Sequence, residues 1–299
     1  MTKTEALWNP DILMVPTDTS SKPEEKKTIT LKQASGPVVV DIWPARKPSG
    51  ATPILLIHGW GGSGSYWQDT ARRLSETVQV IVPDLPGTGH SLPVNPPQNM
   101  FDQVNTLKHI VETLQLEKVQ IVGHSMGAAM TLLLTEQLPD RVERMVLTSM
   151  CFFMTDKQAE IYTSIMKVVR LMMRIRFKQM ADIPGLSYMM ALRYFYRVPN
   201  DPDALRQGFL DYLTLDFETA AACAKNATDP SIEAAGAKVQ VPALLIACRQ
   251  DQVMPVENVN YTVDVIPNCQ LRWIEQCGHL PMVEKADEYM GILYDFLQV

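Results

Sequence analysis

The feature that most limits how this chain can fold is a series of short apolar runs, each followed by a helix-sized stretch. Runs at 54–57 and 243–247 contain no polar residue, and those at 78–82, 119–122, 142–147 and 271–274 continue the series. A strand that is apolar on both sides must be covered on both faces, and the intervening stretches at 65–76, 101–116 and 128–138 read as the helices that cover it. The expected architecture is therefore α/β, with a mostly parallel central sheet and helices on both faces. Residues 28–33 and 38–43, around Ser35-Gly36-Pro37, read as a hairpin at its start. In sheets of this kind ligands gather at the carboxyl ends of the strands, so chemistry is sought there.

The alternation stops between about 150 and 230, an interval that reads as helices without buried strands. This divides the chain into a polar N-terminal extension (1–27), a core (28–149 and 231–299) and an inserted helical cap (150–230). Within the cap, residues 157–180 hold six basic side chains and one acidic one. Lys167, Arg170, Arg174 and Lys178 recur at helical spacing, while Ile161, Ile165, Val168, Met172 and Ile175 mark another face. Eight of the 17 methionines fall between 150 and 190. The plain expectation is an amphipathic helix packed on the core with its charges in water. The sharper ones are a cap that receives a long apolar substrate, or one that makes a peripheral membrane contact.

A chain of 299 residues suits one large domain, or one domain with an insertion. Its net charge of -6 argues against a nucleic-acid binder, whose footprint is basic. The five cysteines, at 151, 223, 248, 269 and 277, form no C-x-x-C pair and no metal-ligand spacing, so no metal or other cofactor is expected. Their odd number suits a reducing compartment. With no signal-like start and no apolar run of membrane-spanning length, the expected location is cytoplasmic.

Gly123-His124-Ser125-Met126-Gly127 lies between one of these apolar runs and a helical stretch. Strand, glycine-flanked serine turn and helix form the context of a nucleophile elbow. It holds a hydroxyl above a strand end, beside N–H groups that lack intrahelical partners at the positive end of a helix dipole. A serine hydroxyl needs a base and an orienting carboxylate. Of the histidines at 58, 90, 109, 124 and 279, His279 follows the last buried strand and is the expected base. His124 belongs to the turn itself and points away from the serine if neighbouring side chains diverge. His109 lies within a helical stretch, and His90 sits in a loop as a supporting residue. Asp251 lies just past the strand at 243–247, and the order Ser125, Asp251, His279 is that of a hydrolase triad. His58-Gly59-Trp60-Gly61-Gly62-Ser63-Gly64 follows the first buried strand, and the backbone N–H groups of Trp60 and Met126 are the expected oxyanion donors. A phosphate-binding loop is a poor alternative, because neither G-K-[ST] nor G-x-G-x-x-G is present.

From about residue 28 to the C-terminus the chain resembles the α/β-hydrolase superfamily, as a capped carboxylesterase- or lipase-like member. The resemblance rests on His58-Gly59-Trp60, Asp84-Leu85-Pro86-Gly87-x-Gly89-x-Ser91, the 123–127 pentapeptide, Asp251-x-x-x-Pro255 and Gly278-His279. It implies Ser125 as nucleophile, His279 as base and Asp251 as acid, with oxyanion donors at Trp60 and Met126. It also implies an acyl-enzyme mechanism on a small-molecule ester, and the methionine and aromatic content of the cap adds an expected preference for apolar acyl or alcohol groups. C–C bond hydrolases, cofactor-free perhydrolases and non-enzymatic small-molecule receptors of the same fold are the alternatives. Serine at the elbow sets the chain apart from dehalogenase and epoxide hydrolase relatives, which carry aspartate there. One departure is Cys248, at a position three before the acid that is often glycine in relatives.

Overall fold

The computed structural model of the chain describes residues 12–14 and 26–299, so most of the expected N-terminal extension lies outside the described residues. The strands are β1 (Ile12–Met14), β2 (Lys27–Gln33), β3 (Gly36–Trp43), β4 (Ile54–Ile57), β5 (Val80–Pro83), β6 (Val119–His124), β7 (Val142–Thr148), β8 (Ala243–Cys248) and β9 (Cys269–Ile274). They form one sheet in the order β1-β2-β3-β5-β4-β6-β7-β8-β9. Pairing is antiparallel from β1 through β3 to β5 and parallel from there to β9. β1 corrects the expectation that all of 1–27 is an extension, because Ile12–Met14 pairs with residues 29–31. Three residues offer too few alternations for a period to be read.

The parallel strands are buried on both faces, and their two-residue period sorts the side chains into two cores. Leu55, Ile57, Ile81, Ile121 and Leu147 face one, and Ile54, Leu56, Val80, Val122 and Val146 face the other. Helix α1 (Gln68–Leu74) covers the second core, while α2 (Met100–Thr113) and α3 (Met126–Gln137) cover the first. A reciprocal capping box starts α2: the Asn99 side chain accepts from the amides of Phe101 and Asp102, and the Asp102 carboxylate accepts from the Asn99 amide.

Between β7 and the next core helix run α4 (Asp156–Met173), α5 (Leu186–Ala191), α6 (Pro202–Thr214) and α7 (Phe217–Asn226). Next, α8 (Pro230–Lys238) and α9 (Val259–Val265) join the first core. After the short α10 (Pro281–Glu284), α11 (Ala286–Leu297) completes the second. The expected packing of the long amphipathic helix needs correction. Ile161, Ile165, Val168, Met172 and Ile175 do not face the core; all five are exposed. The inward side of α4 is instead marked by Val169 and Met173, which pack with Leu215, Ala220 and Phe217. Helical periodicity identifies an apolar stripe without saying what it meets, and α7 engages the neighbouring side of the helix.

Candidate active site

Ser125 stands between β6 and α3 with φ 54° and ψ −119°, a left-handed backbone that is strained for a side chain with a Cβ. Its flanking glycines are required by close approach. A Cβ at Gly123 would lie 2.3 Å from Thr131 Oγ1, and one at Gly127 would lie 2.4 Å from the Ile57 carbonyl oxygen. The turn is held because the Ser125 amide donates to the Thr148 carbonyl (2.8 Å), while the Ser125 carbonyl accepts from Ala128 in the first turn of α3.

His279 and Asp251 come together from two loops at the carboxyl ends of β9 and β8. Their side chains are almost fully buried, and His279 Nδ1 lies 2.7 Å from Asp251 Oδ2. The other carboxylate oxygen accepts from the amides of Val253 (2.7 Å) and Met254 (3.1 Å). Burial pushes the Asp251 carboxyl up. The charge and hydrogen bond of His279, helped by those two amides, more than offset this and hold it below its ordinary value. A carboxylate can only accept, so Nδ1 of His279 carries the proton and Nε2 is its remaining basic atom. Neither Nε2 nor Ser125 Oγ makes a hydrogen bond among the described residues.

His124 is closer to the centre of the site than its place in the pentapeptide suggests. Its ring lies 4.7 Å from that of His279. Nε2 donates to the His279 carbonyl oxygen (2.9 Å), and Nδ1 accepts from Tyr66 Oη (2.9 Å), which itself accepts from the Gly59 amide (2.5 Å). Burial, then the proximity of His279, push its pKa down to about 3, so the ring is neutral across the physiological range. A continuous chain of hydrogen bonds therefore joins the 58–64 loop to the backbone of the candidate base.

That loop is fastened at several further points. His58 Nδ1 bonds the Gly59 carbonyl (3.0 Å), and Nε2 accepts from the Leu85 amide (3.1 Å); burial lowers the pKa of this ring too. Trp60 Nε1 donates to the Ala220 carbonyl in α7 (2.8 Å). Asp211 in α6 is buried and accepts from Ser63 Oγ (2.7 Å), Ser65 Oγ (2.5 Å) and Gln207 Nε2 (2.8 Å). The backbone N–H groups of Trp60 and Met126 have no partner among the described residues. A cavity of about 30 Å³ lies beside them, walled mainly by Trp60, Leu85, Met126, Met130, Leu215 and Cys223.

The other expected residues fall at the margin. His90 is exposed and bonds Asp84 Oδ2 (2.9 Å), while Asp84 Oδ1 accepts from the Gly64 amide (2.8 Å). His109 lies on α2 with its Nε2 3.3 Å from Thr113 Oγ1. Cys248 is buried, and the adjoining Cys277 thiol is pushed up by its hydrogen bond to Cys248 and by burial. The sequence reading missed Asp211 and Tyr66. Asp211 sits 146 and 148 positions from the serines it holds, and no local pattern announces such a contact.

The family model of the alpha/beta hydrolase fold matches residues 52–286. A 2-hydroxy-6-oxononadienedioate/2-hydroxy-6-oxononatrienedioate hydrolase of Pseudomonas putida is 27% identical over 259 residues, spanning 83% of this chain and 88% of that protein. Lipase 1 of Psychrobacter immobilis is 28% identical over 241 residues, spanning 79% and 74%. Among solved structures, a thermophilic esterase from Thermogutta terrifontis superposes with a TM-score of 0.71 at 22% identity, over 91% of this chain and 98% of that one. With the family model covering most of its length, this chain belongs to the α/β-hydrolase fold family.

Proposed function

We propose that the protein is a serine hydrolase that opens small carboxylic esters with an apolar acyl group, through an acyl-enzyme. The observation that carries this reading is the buried Asp251–His279 pair on the same rim as the strained Ser125 turn. In the proposed cycle Ser125 Oγ attacks the ester carbonyl as its proton passes to His279 Nε2, and Asp251 stabilises the resulting imidazolium. The negative charge that develops on the carbonyl oxygen is met by the N–H groups of Trp60 and Met126, which have no other partner to give up. His279 returns the proton to the departing alkoxide. Water, activated by the same ring, then releases the acid and restores Ser125.

The helical insertion acts in this reading as a cap over the acyl site, since Leu215 between α6 and α7 and Thr219 and Cys223 on α7 line the cavity. About 30 Å³ holds little more than a water- or methyl-sized group, so short acyl chains are favoured unless the cap moves. The relative named for dienedioate substrates points to the alternative of C–C bond hydrolysis. A dianionic diacid needs a cationic wall, and no lysine or arginine lines this cavity, which favours the ester. A panel of para-nitrophenyl esters from acetate upward tests the proposal. The expected result is turnover highest on short chains and reduced at least about a thousandfold in Ser125→Ala. Turnover that survives this substitution, or activity confined to diacid substrates, contradicts it.

A further inference from the structure

The core buries its large apolar side chains, and the helical insertion does not. Every exposed large hydrophobic residue among the described residues falls between Met154 and Tyr196. Along α4, Ile161, Ile165, Val168 and Met172 follow one another at steps of four, three and four residues, which places them on one line down the helix. They are 52%, 51%, 60% and 56% exposed, and Ile175 beyond the helix end is 73% exposed. On α5 and just after it, Tyr188, Met189 and Leu192 are exposed as well. A run of apolar surface of this kind marks a place where something docks.

Charge identifies the occupant. Residues 150–197 hold eight Lys and Arg against three Asp and Glu, in a chain whose net charge is -6. Some of these cations are committed within the insertion. Arg170 and Arg174 lie over the Phe217 ring, and Arg176 donates to the carbonyls of Tyr212 and Leu215. Lys157 and Lys167 form no ion pair among the described residues, and Lys157 lies one turn before Ile161 on the same apolar line. A second copy docked through this face would set positive charge against positive charge. An anionic lipid surface complements both features, because head groups meet the lysines and acyl chains accept the isoleucines.

We propose that the outer face of α4 and α5 is a docking surface for an anionic bilayer. Ile161, Ile165, Val168 and Met172 enter the boundary between head groups and acyl chains, and Lys157 and Lys167 lie among the head groups. The same insertion touches the candidate base, since the Tyr194 carbonyl accepts from the His279 amide (2.6 Å). The surface itself stands or falls independently of the reaction the site performs.

Flotation of the full chain with vesicles of phosphatidylcholine alone, and of phosphatidylcholine mixed with phosphatidylglycerol, tests the proposal. The protein should float with the mixed vesicles and less at high salt. Ile165→Asp with Val168→Asp should abolish flotation. Lys157→Gln with Lys167→Gln should weaken binding to the mixed vesicles by about 30-fold, from roughly 1 kcal/mol for each lost lysine. Unchanged thermal unfolding shows that the variants remain folded, and the exposed lysine pair serves if the aspartate pair does not fold. Three results overturn the proposal: no flotation with the mixed vesicles, flotation indifferent to both variants, or a dimer in light scattering that the aspartate variant dissolves.

Discussion

His124 shows how a neighbour of the candidate nucleophile can belong to the candidate base. At the elbow, adjacent side chains diverge, and the fold has placed the loop of His279 on the side to which His124 turns. Its neutrality has a consequence for stability. The folded pKa of about 3 lies below the unfolded value of 6.5, so the unfolded chain binds the extra proton in between. The stabilisation is complete above pH 6.5 and is lost as pH falls towards 3. Over that window the ring contributes about 1.4 kcal/mol of stability per pH unit. His124→Gln keeps an acceptor for Tyr66 and a donor for the His279 carbonyl but has no proton to gain. Denaturant unfolding from pH 4 to 7 should show a slope shallower by about that amount; an unchanged slope would mean that the ring is charged in the fold. Asp251 makes a second residue-scale test. In Asp251→Asn an amide nitrogen facing Nδ1 would force the proton onto Nε2, leaving nothing to accept from Ser125. Turnover is expected to fall roughly a thousandfold or more while unfolding midpoints change little at neutral pH. Full activity would remove the carboxylate from the mechanism.

At the scale of elements, the 58–64 loop is held jointly by the core and the insertion. His58 pins it to the 84–88 loop, whereas Asp211 and the Ala220 carbonyl pin it to α6 and α7. Asp211→Ala strands the buried hydroxyl of Ser63 and the half-buried one of Ser65, at about 1–3 kcal/mol of stability. By loosening the Trp60 amide it should lower kcat roughly tenfold to a hundredfold with little change in KM. Steady-state kinetics on a short ester check this, and a change confined to KM would show that the loop only binds substrate. The strands were legible because runs such as Ile54–Ile57 and the 243–247 run can only be buried on two faces. Asp251 and His279 were legible because each closely follows such a strand. Asp211 was not, because it acts through partners far away in sequence. The direction of α4 was misread for a related reason: spacing groups Ile161 with Ile165 and Val168, but the packing of Val169 and Met173 against Leu215, Ala220 and Phe217 decides which side turns inward.

For the whole molecule, the proposed division of labour lies between a sheet that fixes the candidate reacting groups and an insertion that limits what reaches them. Leu215, between α6 and α7, is one of the buried residues that the insertion contributes to the cavity wall. Leu215→Ala should cost about 2–5 kcal/mol and open room for several more atoms. The chain-length optimum on the ester panel should then move to longer acyl groups, and an unmoved optimum would place the acyl chain elsewhere. Among the described residues no helix is long and apolar enough to cross a membrane. The central claim is that substrate becomes covalently attached to one hydroxyl. Intact-mass and peptide spectra after mixing with excess para-nitrophenyl acetate, quenched in acid within the first turnover, read it directly. An acetyl group on Ser125 at close to one per chain, absent in Ser125→Ala and slow to form in His279→Ala, is the expected result. Rapid ester turnover with no adduct on Ser125, or an adduct on another residue, would contradict the account.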